Sequence, residues 1–136
     1  MPAASPQQVL REVLSAFDQH DWTIFDRHPG LHETRQRLPH LYAAFPDLRH
    51  TIQVELVEGA LIGCVTVAQG THRGPFMGIA PTGKQVSFML LVIDRIEDNK
   101  VVEHWAIPDF MSLFQQLGMA GAFTNPAGAS AAQHAA

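Results

Sequence analysis

The fold is decided by residues 85–107, which read QVSFMLLVIDRIEDNKVVEHWAI. Their first part, Gln85–Ile96, is apolar nearly throughout, which predicts a central β-strand that is covered on both faces. Turn-forming residues at 97–100 follow, and the apolar run Val101–Ile107 then predicts the returning strand of a hairpin. Because a short turn joins antiparallel strands, this stretch predicts an antiparallel sheet.

Two more strands are predicted upstream of this hairpin. Apolar and polar residues alternate over 51–56, which is typical of a strand with one face in solvent. Gly59 and Ala60 form a turn into another apolar run, Leu61–Thr71, which predicts the next strand. A loop rich in glycine and proline, residues 70–83, separates that strand from the hairpin. We therefore expect four consecutive strands in one sheet.

Helical apolar spacing places two helices before the strands and one after them. Ser5, Pro6 and Gln8 carry the cap, first-turn and capping-box signals of a helix start. A second helix is predicted over Glu33–Ala44, and Asp109 is placed to cap a short last helix. This order predicts an α+β fold, in which a curved antiparallel sheet covered by helices forms a cone. The open end of such a cone suits an apolar pocket.

The composition excludes several functional classes. The chain has 136 residues, of which 46% are hydrophobic and 16% charged, so it fits one globular domain and is not disordered as a whole. Its 9 Lys and Arg are scattered and the net charge is -4, which argues against a nucleic-acid-binding surface. No apolar stretch reaches the roughly 18 residues of a membrane span. The first residues lack the pattern of a secretory signal, so we expect a cytoplasmic protein without membrane partners.

Metal and disulfide chemistry are also disfavoured by the sequence. Cys64 is the lone cysteine, which excludes an internal disulfide and a cysteine-based zinc site. Among the 8 histidines, His28 and His32 are four residues apart. Pro29 and Gly30 lie between them and break the helix that would bring them to one face. We therefore expect no metal site.

Four short motifs carry a resemblance to a known family. In chain order they are FPDL at 45–48, GTHRGPFMGIAPTG at 70–83, VEHW at 102–105 and QQLG at 115–118. Together, over residues 7–118, they resemble the SnoaL-like polyketide cyclases, which share the fold of nuclear transport factor 2. The resemblance implies a single cone-shaped domain over residues 5–118, no metal or organic cofactor, and a homodimer formed through the sheet. Residues 119–136, rich in alanine, are expected to form a loose tail.

The resemblance also locates the family's chemistry on the last strand. In the cyclases, a carboxylate two positions after the histidine of that strand runs an aldol ring closure. Here that position is Ala106, and the polar partner positions on the neighbouring strand match Leu90 and Val92. Because an alanine neither accepts nor delivers a proton, acid–base chemistry in this chain needs another residue.

Asp94 and His104 are the leading candidates for that chemistry. If Asn99 takes a left-handed conformation in a three-residue, bulged hairpin, the two side chains face each other with Cβ atoms about 5 Å apart. The carboxylate would then orient an imidazole that serves as general base or acid. A two-residue turn would instead slip the register and set Asp94 opposite Glu103. A third interpretation keeps the pair as a structural hydrogen bond only.

The remaining site predictions concern the pocket wall and its mouth. The apolar wall is predicted to comprise Phe17, Phe88, Leu90, Val92 and Ala106. His72 is expected either to bind a substrate oxygen or to hold the backbone of the following loop. Asp109 is either a second carboxylate near the histidine or the cap of the last helix.

Taken together, these features predict a cofactor-independent enzyme of the isomerase or lyase class. It would perform proton transfer, such as cyclisation or isomerisation, on a polyketide-like or other hydrophobic oxygenated small molecule. The alternative is a non-catalytic protein that binds a hydrophobic small molecule, because the cyclase carboxylate is replaced by Ala106. Water addition, as in the related epoxide hydrolases, ranks lowest, since Asp94 and Arg95 point to opposite faces of their strand.

Overall fold

The computed structural model describes residues 4–119. Its helices are α1 (Pro6–Asp18), α2 (His32–Ala44) and α3 (Phe110–Gln116), and its strands are β1 (Arg49–Glu58), β2 (Leu61–Thr71), β3 (Gln85–Glu97) and β4 (Lys100–Pro108). Two short 3-10 helices, Trp22–Asp26 and Pro29–Leu31, connect α1 to α2. Beyond Met119, the tail predicted for residues 119–136 lies outside the described residues.

The four strands form one antiparallel sheet in the order β1-β2-β3-β4. The predicted α+β fold, with helices before and after consecutive antiparallel strands, is confirmed. Each strand pairs with its neighbour in sequence. The β1–β2 and β3–β4 connections are two-residue turns, which are too short for a crossover, whereas the longer loop 72–84 joins β2 to β3. β2 and β3 are therefore the interior strands, and β1 and β4 are the edges.

The helix ends follow the capping signals of the sequence. At the start of α1, the Ser5 side chain accepts a hydrogen bond from the Gln8 backbone N–H at 3.2 Å. The Gln8 side chain in turn accepts one from the Ser5 N–H at 2.7 Å, which completes a capping box. At the start of α3, Asp109 Oδ1 accepts from the Ser112 N–H at 3.0 Å. Both predicted helix starts are confirmed.

One face of the sheet carries the helices and the hydrophobic core. Along β2 and β3 every second residue is buried against it, as the period of a strand requires. α1 packs its apolar stripe onto the same side, with Val9, Leu10, Val13 and Phe17 buried. Asp94 and Thr66 are among the buried polar residues of this face. The core-facing side of the sheet is therefore mixed in character, with polar groups inside an apolar layer.

The opposite face, which we call the outer sheet face, is apolar and uncovered. Exposed apolar residues of β1, β3 and β4 form two rows on it, Val54, Leu91 and Ile107 in one and Leu56, Ile93 and Trp105 in the other. These side chains are 46–74% exposed. The prediction that β3 is covered on both faces is therefore wrong for the single chain. An uninterrupted apolar run indicates burial on both sides, but only alternate residues contact the chain's own core.

The turn between β3 and β4 has two residues, as in the second of the two interpretations of the sequence, and not three. Glu97 pairs with Lys100, and only Asp98 and Asn99 lie between them. Both turn residues are left-handed, with φ of 52° and 63°. Two consecutive positive φ angles are the signature of a type I′ turn, which Asp and Asn tolerate better than other residues with side chains.

The predicted pairing across this hairpin is nevertheless present, because β4 contains a β-bulge. Arg95 pairs with Glu103, and Val102 is an extra residue without a partner on β3. The bulge moves the register by one residue, so Asp94 lies opposite His104. The bulge in β4 thus supplies the one-residue register shift that a three-residue turn would have supplied.

Candidate active site

Asp94 of β3 and His104 of β4 meet on the core-facing side of the sheet. Asp94 Oδ1 and His104 Nδ1 are 2.5 Å apart, and the side chains are 2% and 15% exposed, respectively. The carboxylate therefore accepts a hydrogen bond from Nδ1–H and fixes the orientation of the ring. His104 Nε2 has no hydrogen-bond partner within residues 4–119, and it is not fully buried.

This arrangement leaves one ring nitrogen for chemistry. With Nδ1–H committed to the carboxylate, the neutral ring carries its lone pair on Nε2, so His104 can accept a proton there. The buried carboxylate of Asp94 then stabilises the imidazolium that forms. The pair has the geometry of a general base, His104, that is oriented by the carboxylate of Asp94. The catalytic interpretation of the sequence required this geometry.

The bulge beside His104 is held by the short helix Pro29–Leu31. A Cβ atom on Gly30 would lie 2.5 Å from the carbonyl carbon of Val102, so this position admits only glycine without movement of the backbone. Nearby, His28 Nδ1 accepts a hydrogen bond from the Val101 N–H at 3.0 Å. The segment that precedes α2 therefore packs directly on the part of β4 that sets the register.

His28 is a positioning residue that the sequence analysis missed. It is 2% exposed, and burial lowers the pKa of its imidazole, which favours the neutral form that accepts the hydrogen bond. In the sequence it was considered only as a metal ligand and, with Pro29 and Gly30, as a helix break. The available signal was the glycine itself, because a glycine next to a proline can also mark a close approach of two backbones.

The predicted wall residues lie at different distances from the pair. Val92 and Ala106 pair with each other one row away, on the same side of the sheet as the dyad. Leu90 and Phe88 lie further from Asp94 on the same face of β3. Phe88 is six residues away, which is about 20 Å along the strand. Ala106 is exposed. The row beside the dyad is therefore open at the edge of the sheet.

Phe17 is placed on α1 and belongs to the core. It is 5% exposed, and its ring lies 5.6 Å from that of Phe25, centroid to centroid. This tilted aromatic pair fills the space between α1 and the 3-10 helix that follows it. In the single chain Phe17 therefore packs as a core residue.

His72 and Asp109 make the structural contacts that were given as alternatives to a role at the site. His72 is fully buried, and its Nδ1 accepts a hydrogen bond from the Thr82 N–H at 3.1 Å, which ties down the glycine-rich loop. It lies ten residues along β2 from Ile62, the partner of Asp94, or about 33 Å. Asp109 caps α3. Neither residue joins the dyad.

Asp94 and His104 line neither of two surface cavities found within residues 4–119. One, of about 460 Å³, lies between α1 and β1, and the other, of about 400 Å³, lies between the start of α1 and the two hairpin turns. The apolar pocket beside His104 stays a prediction.

Clusters of metal-binding side chains and Cys64 are the other candidates for a reactive site. Within residues 4–119, no group of three or more His, Cys, Asp or Glu side chains is placed to hold a metal ion. Cys64 is buried and lies 3.2 Å from Thr66 Oγ1, and burial raises the pKa of its thiol. The thiol is thereby kept protonated and unreactive. No helix in this part of the chain is long and apolar enough to cross a membrane.

Comparison with known proteins gives a consistent result. A family model described as SnoaL-like polyketide cyclase matches residues 4–117. The chain is 30% identical over 76 residues to the aklanonic acid methyl ester cyclase DnrD of Streptomyces peucetius, covering 55% of this chain and 52%, or about half, of that protein. It is 29% identical over 92 residues to the nogalonic acid methyl ester cyclase of Streptomyces nogalater, covering 67% and 69% of the two chains.

A solved structure extends the likeness to the whole fold. Wild-type IdmH from Streptomyces antibioticus superposes with a TM-score of 0.74 at 28% sequence identity. The match covers 85% of this chain and 99% of that one. The two chains therefore share their fold over most of the length of this chain.

Proposed function

The chain belongs to the family of SnoaL-like polyketide cyclases, and on that premise we propose that it is a cofactor-independent enzyme that transfers protons on a polyketide-like substrate. The observation that carries the proposal is the buried Asp94 carboxylate bound to Nδ1 of His104, with Nε2 left unpaired. Both curated relatives are cyclases by name, which favours an enzyme over the non-catalytic binder.

In the proposed reaction, His104 replaces the carboxylate that the family carries two residues further along the strand. Nε2 removes a proton from a carbon next to a carbonyl group, and the electron pair of the C–H bond forms an enolate. The enolate carbon attacks a second carbonyl of the same molecule, and the resulting alkoxide takes the proton back from Nε2. Atoms and charge balance without a redox partner, because the product is an isomer of the substrate.

Ala106 contributes space in this proposal. It lies two residues from His104 on the same face of β4, or about 6.6 Å along the strand, and it is exposed. A small side chain at this position leaves room beside the imidazole for the flat rings of a substrate. Val92, its partner on β3, supplies an apolar floor at 9% exposure. Hydrophobic contact with this row would orient the ring system over Nε2.

The decisive experiment is His104→Ala, assayed separately for binding and for turnover of nogalonic acid methyl ester. General-base catalysis contributes about 100- to 10,000-fold, so we expect a loss of turnover in this range with binding retained. The exposed His40, changed to alanine, is the matched control and should keep full turnover. Equal turnover in the two variants would show that the dyad is not the catalytic centre.

A further inference from the structure

The pair of Asp94 and His104 is linked to a third buried side chain through the first residues of β4. His28 is 2% exposed, and its Nδ1 accepts a hydrogen bond from the Val101 N–H at 3.0 Å. Asp94 is among the charged groups that act on the ionisation of His28. His28 therefore binds the strand that carries His104 and interacts electrostatically with the acid that orients it.

The contact between His28 and β4 requires the neutral imidazole ring. A backbone N–H is a hydrogen-bond donor, so the Nδ1 atom that receives it must carry a lone pair. A protonated ring carries a hydrogen on both nitrogens, and Nδ1 would then point a hydrogen at the Val101 N–H. Protonation of His28 thus breaks this contact and leaves a charged donor in a buried position, which costs free energy.

The β3–β4 hairpin has a second register available when this contact is lost. Its two-residue turn, continued as a regular ladder, would set Asp94 opposite Glu103. The bulge at Val102 sets Asp94 opposite His104 instead. This bulge packs so closely on Gly30 that a Cβ atom there would lie 2.5 Å from the Val102 carbonyl carbon. Release of the segment that contains Gly30 would therefore remove the packing that holds the bulge.

The surroundings of His28 favour its neutral form. Burial is the largest influence on the pKa of His28 and lowers it from the ordinary value of 6.5. Glu12 of α1 and Asp94 of β3 act in the opposite direction. Arg27, which precedes His28, and Lys100, at the start of β4, act in the same direction as burial. Because negative and positive groups both act on the ring, burial decides which form is present.

We propose that His28 is a pH switch for the candidate active site: its neutral ring holds β4 in the bulged register, and its protonation releases β4 and separates His104 from Asp94. This inference rests on the proposed function, because it concerns the regulation of the same pair of residues. The enzyme would be assembled at neutral pH and reversibly disassembled in acid, with the rest of the fold retained.

The direction of the switch follows from proton linkage. In the released arrangement the His28 ring reaches water and takes up a proton near its ordinary pKa of 6.5. In the closed arrangement burial lowers that pKa, so the ring is protonated only at lower pH. The released arrangement therefore binds the proton more strongly, and a fall in pH below about 6.5 shifts the population towards it.

The test is a pH titration of the full chain from about pH 7 downwards, followed by NMR. The Nδ1 hydrogen of His104 reports the register, because Nδ1 donates to Asp94 whether the His104 ring is neutral or protonated. Its signal should disappear with the same midpoint as the titration of the His28 ring, while circular dichroism retains the native helix signal. Turnover should fall about tenfold one pH unit below that midpoint.

Two variants separate the switch from other effects of acid. His28→Asn keeps an acceptor near the position of Nδ1 and does not titrate, so the His104 signal should persist where the wild-type protein has lost it. His40→Asn, at an exposed position, is the matched control and should follow the wild type.

Three results would overturn the inference. They are a His104 signal that persists through the titration of His28 in the wild-type protein, loss of the helix signal at the same midpoint, and equal titrations of the His28 and His40 variants. The NMR signal does not depend on turnover. A protein that opens as expected but turns over no substrate would therefore support the switch and contradict the proposed enzyme.

Discussion

His28 is a buried imidazole whose Nδ1 binds the backbone of β4, so we expect the stability of the fold to depend on pH. Burial lowers its pKa from the ordinary value of 6.5. Below that value the unfolded chain takes up the proton first, so the stabilisation is complete above about pH 6.5 and is lost as the pH falls towards the folded pKa. Each pH unit in this window costs at most about 1.4 kcal/mol.

The first prediction is therefore that His28→Asn flattens the pH dependence of stability below about pH 6.5. Asparagine keeps an acceptor near the position of Nδ1 and does not titrate. The measurement is the free energy of unfolding in urea at a series of pH values. His40→Asn, at an exposed position, should leave the slope unchanged. A slope that is the same for all three proteins would contradict this role of His28.

Gly30 is the second residue on which the register depends. We predict that Gly30→Ala lowers the free energy of unfolding by roughly 1–3 kcal/mol, because its Cβ would lie 2.5 Å from the Val102 backbone. Turnover in the assay proposed above should fall as well, since β4 must move and His104 moves with it. Gly63→Ala is the control, as its nearest neighbour is 3.8 Å away. Equal stability of the two variants would refute the prediction.

Single residues also show what the sequence was able to predict. Asp94 and His104 were found because they lie on adjacent strands of one hairpin, ten residues apart, where pairing follows from local pattern. His28 was missed because its partner, Val101, is 73 residues away, and nothing in the local sequence announces such a contact. The hydrogen bond between His50 and Asp18, 32 residues apart, was not predicted for the same reason.

Among the elements, the β3–β4 hairpin shows that the length of a turn does not by itself set the register of the two strands. Its strands were predicted within two residues of their observed ends, since apolar runs and turn-forming residues are local signals. The position of the bulge was not predictable in this way. It is selected by the packing of Pro29–Leu31 against β4, a contact between distant parts of the chain.

The third prediction tests whether the bulge, and not the turn, sets the register. Asn99→Gly should keep the stability or raise it slightly, because glycine adopts the observed φ of 63° without strain. Asn99→Val should destabilise the hairpin by about 1 kcal/mol or more, because a β-branched residue is strained there. Thermal unfolding measures both effects. Asn99→Gly should also retain full turnover, and a folded glycine variant without activity would show that the turn, and not the bulge, sets the register.

For the whole molecule, the outer sheet face is the feature that the single chain leaves unexplained. Six exposed apolar residues of β1, β3 and β4 lie on it in two rows, and soluble monomers rarely expose apolar patches larger than a few hundred Å². We propose that a second copy of the chain covers this face. A sheet-mediated homodimer would also bury both faces of β3, which is what its apolar sequence indicates.

The fourth prediction is that Leu91→Glu, in the centre of this face, shifts the protein from dimer to monomer. A charge on each copy at this position would be buried without a partner, at a cost of several kcal/mol. Sedimentation velocity over a range of concentrations measures the change. Met77→Glu, at another exposed apolar residue, is the control and should remain dimeric. A wild-type protein that sediments as a monomer at all concentrations would rule out the dimer.

The contact between the Pro29–Leu31 helix and the bulge has a consequence for how the molecule folds. Val101 is bound by His28, so an isolated hairpin would be free to slip by one residue and separate the acid from the imidazole. The two side chains meet stably only after the first quarter of the polypeptide has docked on the last strand. During refolding, recovery of turnover should therefore lag behind recovery of strand content, and the delay would time that docking step.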